Sequence, residues 1–180
     1  MVEEARLEET PSGLAPATEG WFVVNARDAA WMTRGTFGTA CLFESRAAPF
    51  AQLGINLRVL RPGQPNALYH RESNQEDFLV LHGECLLLVE GEERPLRPWD
   101  FVHLPPNVEH VVVGAGDGPC VVLMTGARDE DEVVVYPVSE LARRHGAGVE
   151  RETDSPAEAY AGYEGRGPGR PEDWDRLPWA

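Results

Sequence analysis

The chain has 180 residues and a formal charge of −14, from 30 acidic and 16 basic side chains. That length fits one domain with tails and can bury a sizeable core. The charge balance excludes a basic footprint for nucleic acid or for an anionic membrane surface, and no helix-turn-helix pattern is present.

The N-terminus, "MVEEARLEETPSG", is acidic and lacks the apolar run of a signal peptide. No apolar stretch approaches the roughly 20 residues that span a bilayer. Residues 1–20, rich in Glu, Pro, Gly and Thr, are expected to form a mobile acidic arm. "WFVV" at 21–24 predicts a first strand, and "DAAWM" a short helical turn after it.

From Leu53 to Thr125 short β-rich runs alternate with turn signals. "LGINLRVL" sets Ile55, Leu57 and Val59 against Asn56 and Arg58, the period of a strand. "RPGQPN" breaks it. "FLVL" and "CLLLVE" flank His82-Gly83 and predict a tight hairpin. "EGEER" turns the chain again, and "DFVHL" is stopped by Pro105-Pro106-Asn107. "HVVVG" and "CVVLMT" around "AGDGP" predict another hairpin. Short strands at regular spacing, punctuated by Gly and Pro, point to an all-β sandwich or barrel.

Beyond residue 137 the pattern changes. "SELARRHG" has an N-cap in Ser139, basic residues in its last turn and Gly146 as a stop. Pro156 suits the first position of a second helix. The closing Gly/Pro-rich tail carries Trp174 and Trp179, which predicts docking on the barrel or on a second subunit. The expected division is an arm at 1–20, a β domain at 21–137, and a helical segment with an extended tail at 138–180. Cys41, Cys85 and Cys120 are odd in number and widely spaced, and are read as small core hydrophobes in a reducing compartment. A soluble cytoplasmic protein is the expectation.

The chemistry gathers around "YHRESNQEDF". On a strand, His70 and Glu72 share a face. Ser73-Asn74 turns the chain, so Glu76 can face back from the next strand. His110 opens another strand after "PPN". A β-barrel can bring four such positions to one mouth, and two imidazoles with two carboxylates suit Zn, Mn, Fe or Ni. His103 lies within a strand, while His82 at a hairpin tip and His145 near a helix end read as structural or exposed. Whether Asn56 and Arg58 face the pocket stays open.

These residues resemble the two motifs of the cupin superfamily. Gly63, His70-Arg71-Glu72, Glu76 and Gly83 follow the first, with Glu72 where the pattern has a second histidine. Pro105-Pro106-Asn107 followed by His110 matches the second, with Asn107 in the place of Gly, and Asp100 opens the preceding strand. Trp99 stands where that motif has its leading Gly. The resemblance covers about 55–125. It implies an antiparallel jelly-roll barrel with a metal held by His70, Glu72, Glu76 and His110: a divalent transition ion, Fe, Mn, Ni, Co or Zn. It implies a pocket walled by Leu, Val and Phe that takes a small polar organic molecule. The first functional reading is a metal-dependent enzyme of oxygenase, isomerase or decarboxylase type, with no nameable catalytic base or nucleophile and no organic cofactor. The second is a small-ligand binding or sensing protein without catalysis. A third is an interaction module assembling through its tail. A two-fold homodimer is expected.

Overall fold

The computed structural model describes residues Met1–Ala180. In chain order the strands are β1 (Leu7–Thr10), β2 (Gly13–Pro16), β3 (Ala30–Thr33), β4 (Thr39–Leu42), β5 (Leu53–Leu60), β6 (Arg71–Glu72), β7 (Glu76–His82), β8 (Glu84–Val89), β9 (Glu92–Leu96), β10 (Phe101–Leu104), β11 (His110–Ala115), β12 (Cys120–Ala127), β13 (Val134–Val135) and β14 (Gly167–Pro168). Two short helices, α1 (Glu140–Arg144) and α2 (Pro156–Ala159), lie between the last two strands. No helix is long and apolar enough to cross a membrane.

The larger sheet runs β10-β7-β12-β5-β4-β3-β14, and the smaller runs β11-β8-β9. Every strand pair in them is antiparallel. The stretch 64–70 runs beside β11 through backbone bonds at Asn66, His70 and Gly114, and β6 beyond it pairs with β13. The sheets pack face to face but do not join edge to edge, so the expected closed barrel is an open jelly-roll sandwich in its hydrogen bonding.

Period-two alternation decides what lies between them. Leu60, Phe78, Val80 and Val122 from the larger sheet meet Cys85, Leu87 and Val112 from the smaller in one buried cluster. Leu57 and Val59 point the other way, into a second cluster with Trp31, Cys41 and Leu177. The outer face of the smaller sheet, with Leu88, Val111 and Val113, is covered by Leu141 and Ala142 of α1. Ser139 caps α1 by accepting from the Ala142 amide, and Ser155 caps α2 with Pro156 at its start. All three cysteines are buried free thiols, and burial pushes the Cys41 thiol up to about 12.

Four local expectations are corrected. "WFVV" is not a strand: Trp21 makes one isolated bridge to Glu4, and Val23 is exposed. "DAAWM" is not helical: Ala30–Met32 lies in β3, because Trp31 is fully buried and its strand pairs with β4. The two predicted hairpins are corners. β7 and β8 lie in opposite sheets, and so do β11 and β12. Gly83 makes the first corner: its φ is +68°, and a Cβ there would come within 2.4 Å of the Pro119 carbonyl oxygen. Residues 7–16, within the expected arm, form the hairpin β1–β2, bonded to Asp28 and Trp31 through Leu14 and Ser12. The tail docks on its own chain: Trp174 and Trp179 lie 5.5 and 5.4 Å from Trp31, ring centroid to ring centroid.

Candidate metal centre and its cavity

Each histidine of the centre is aimed by a local bond. His70 Nδ1 lies 2.7 Å from the Leu68 carbonyl, and His110 Nδ1 lies 3.0 Å from the Val108 carbonyl. A ring nitrogen that close to a carbonyl donates its proton, so in the neutral imidazole each Nδ1 carries the hydrogen and each Nε2 turns a lone pair inward. The backbones of His70 and His110 bond to each other in both directions. That bridge sets the two rings 4.9 Å apart. Glu76, at the start of β7, comes in from the opposite sheet.

The structure gathers His70, Glu76 and His110, with one ligand-type atom from each within 4.8 Å of the others. Both histidines are buried, and the Glu76 side chain is 15% exposed. Glu76 Oε2 stands 2.9 Å from His110 Nε2, yet neither atom has a hydrogen-bond partner. Two buried acceptors facing each other at that distance fit a cation between them. Glu72 lies outside the tight group of three. Its Oε1 is 3.3 Å from His70 Nε2, at the same mouth.

The charges here are interdependent. Burial works against the His70 imidazolium, but Glu72 and Glu76 outweigh it and hold His70 above its ordinary range. Burial likewise opposes the Glu72 carboxylate, and His70 outweighs it, holding Glu72 low. Glu132 is pushed up by burial and then by the charge of Glu72.

The centre opens into a cavity of about 910 Å³. Its wall corrects the apolar expectation: 7 of 23 lining residues are hydrophobic, and the rest include Asn56, Arg58, Asn66, Thr125 and Arg128. Asn56 and Arg58 do face the pocket, because the inward positions of β5 near its mouth are polar while Leu60 deeper in joins the core. Tyr136 stacks near His70 at 6.0 Å, and burial, followed by Tyr160 and Glu72, raises its phenol. Arg34, Glu132, Tyr160 and Arg166 come from connecting segments far along the chain, where no sequence pattern marks them as pocket residues. His103 points away and pairs with Asp77 at 2.7 Å, and His145 pairs with Glu93 at 2.9 Å. Asn107 adopts φ +69°, the left-handed turn that its replacement of Gly requires, and its amide donates to the Glu72 carbonyl.

Residues 56–126 match the family model for a cupin domain. No curated protein matches the chain. Among solved structures it is similar to a sugar phosphate isomerase of the cupin superfamily from Silicibacter pomeroyi, at 29% identity and TM-score 0.48. That match covers 54% of this chain and 63% of the other, so the chain spans less than two thirds of that protein. The polyketide cyclase RemF from Streptomyces resistomycificus is 14% identical over 61% of this chain and 80% of its own, with TM-score 0.52. An RmlC-like cupin from Shewanella frigidimarina is 15% identical over 62% of this chain and 95% of its own, also at 0.52. These last two likenesses are of fold.

Proposed function

Residues 56–126 are a cupin domain, and from that premise we propose that the chain holds one divalent transition-metal ion and acts with it on a small polar organic molecule. The ligands in this reading are His70, Glu76 and His110, with Glu72 as a fourth. One observation carries it: the buried, partnerless pair of Glu76 Oε2 and His110 Nε2. Nitrogen and carboxylate donors without thiolate suit Fe, Mn, Ni, Co or Zn.

Such an ion supplies Lewis acidity or an oxygen-activating centre. The chain's residues do the remainder. Asn56, Thr125 and Tyr136 orient polar groups of the molecule, and the sandwich core beneath keeps bulk water from the buried histidines. An oxygenase, isomerase or decarboxylase is the enzymatic form of the reading. The form without turnover is ligand holding or sensing by the same cavity.

The homodimer belongs to the same proposal. β10 is an open edge of the larger sheet, with Trp99 and Phe101 exposed beside it. The open edge of the smaller sheet, β9, is guarded by charge and Pro95 as isolated edges usually are.

Elemental analysis of untagged protein incubated with each of the five metals tests the reading. One ion per chain is expected. His110→Ala should lower occupancy sharply, since one ligand of about four is lost. Glu72→His should keep binding and shift the preferred metal. Wild-type protein that stays metal-free would overturn the proposal.

A further inference from the structure

We propose that the cavity holds a second subsite, in which Arg34, Arg58 and Arg166 receive an oxyanion group, phosphate or carboxylate, of the molecule brought to the metal centre. It deepens the reading of the cavity as a ligand site and rests on that reading.

The first ground is unspent charge. Of the thirteen other arginines eight make ion pairs, and the remaining five, Arg27, Arg46, Arg97, Arg144 and Arg170, do not line this cavity. Arg34, Arg58 and Arg166 line one cavity, and none of their guanidinium groups has an ion pair or hydrogen bond. Four carboxylates share the wall, but Glu72 and Glu76 stand with the histidines, Glu132 lies beside Glu72 and Glu164 lies against Gly35, so none is paired with these three cations.

The second ground is burial. Arg58 Nε is buried without a partner. An unsatisfied cationic donor away from water is unfavourable unless an anion completes it. Burial, then the Arg166 charge, pushes the Arg58 guanidinium down to about 10. Glu76 faces the same cavity and its charge partly offsets this, but it stands within the metal group. Glu164, also in the wall, turns its carboxylate toward Gly35.

The third ground is geometry. The Arg34 guanidinium is stacked 3.8 Å above the Tyr160 ring. Stacking fixes its plane and leaves its N–H groups free for a planar or tetrahedral oxyanion. Register places the subsite apart from the metal group. Glu76 pairs with Gly126, which pairs with Gly54, so Arg58 lies two strands over and four residues along. That is about 10 Å across and about 13 Å along the sheet. Long arginine side chains shorten the gap to the reach of a small molecule that carries its anion at one end and its metal-binding groups at the other.

The test is titration calorimetry of the full chain with inorganic phosphate and with acetate, against chloride at equal ionic strength. Saturable binding at one site is expected. Arg166→Gln and Arg34→Gln should each weaken it about tenfold, the loss of one charge-assisted contact. Arg166 is exposed, so its variant keeps the fold. The tighter anion identifies the group. The same titration in His110→Ala should leave the affinity unchanged, and metal content is measured on every sample. No saturable binding, or binding that survives Arg166→Gln and Arg34→Gln, overturns the subsite. Binding lost in His110→Ala also overturns it, because the anion was then a metal ligand. A metal-loaded protein without anion binding refutes only the subsite, and anion binding in a protein that never takes metal refutes only the metal reading.

Discussion

Replacing Glu76 by Gln should stabilise the metal-free protein while removing its response to metal. In the wild type, Glu76 Oε2 and His110 Nε2 face each other at 2.9 Å, both buried and both without a hydrogen-bond partner. His110 spends its Nδ1 proton on the Val108 carbonyl, so Nε2 is an acceptor. An amide nitrogen in place of Oε2 donates to that lone pair without changing the shape of the side chain. One hydrogen bond contributes about 1 kcal/mol, and relieving a buried unsatisfied group contributes about 1–3 kcal/mol more. Relaxation of the wild-type side chains takes back part of this, so a gain of about 2 kcal/mol is expected. For a chain of this size that is roughly 4–8 °C in Tm. Wild-type protein at a hundredfold excess of metal over Kd should gain about 2.7 kcal/mol, and Glu76→Gln should gain little. Differential scanning calorimetry of both proteins, in chelator and in metal, reads the two effects with opposite signs. A metal-free Glu76→Gln that melts below the wild type would show His110 and Glu76 to be an ordinary ion pair. An undiminished metal response would remove Glu76 from the centre.

Two further outcomes follow from the packing and the edges. Gly83→Ala should destabilise by more than about 1 kcal/mol, because the residue must keep φ +68° with its new carbon 2.4 Å from the Pro119 oxygen; urea unfolding measures it, and a neutral result would show that the corner can shift. A chain ending at Gly165 should melt several degrees lower, having lost Trp174 and Trp179 from Trp31, yet should stay dimeric by light scattering; a monomer would move the interface from β10 to the tail.

Much of this was readable from local pattern. Period-two alternation marks β5, and the caps of α1 and α2 are set by Ser139, Ser155 and Pro156, all within one turn of what they cap. Asn107 signals its left-handed turn through the residue type alone. Partner choice was not readable. "FLVL-HG-ECLLLV" has the composition of a hairpin, and only the long-range pairing of β7 with β12 and β8 with β11 makes it a corner. The candidate metal group was legible because its members sit at or beside strand starts within two motifs. Glu132, Arg34, Tyr160 and Arg166 were not, because they reach the cavity from loops whose path depends on the finished fold.

The placement of β12 has a kinetic consequence. It lies between β5 and β7, which precede it by 60 and 38 residues at their closest ends and do not pair with each other. Loop closure of that length must precede the contacts that reward it, which puts folding in the millisecond-to-second range typical of non-local β proteins. During synthesis β5 and β7 emerge first and wait with open edges, so the central sheet forms only after residue 127 has been made. Glu76 pairs with Gly126 at that same late step, so the candidate metal group gains its β12 neighbour only after residue 127 has been made.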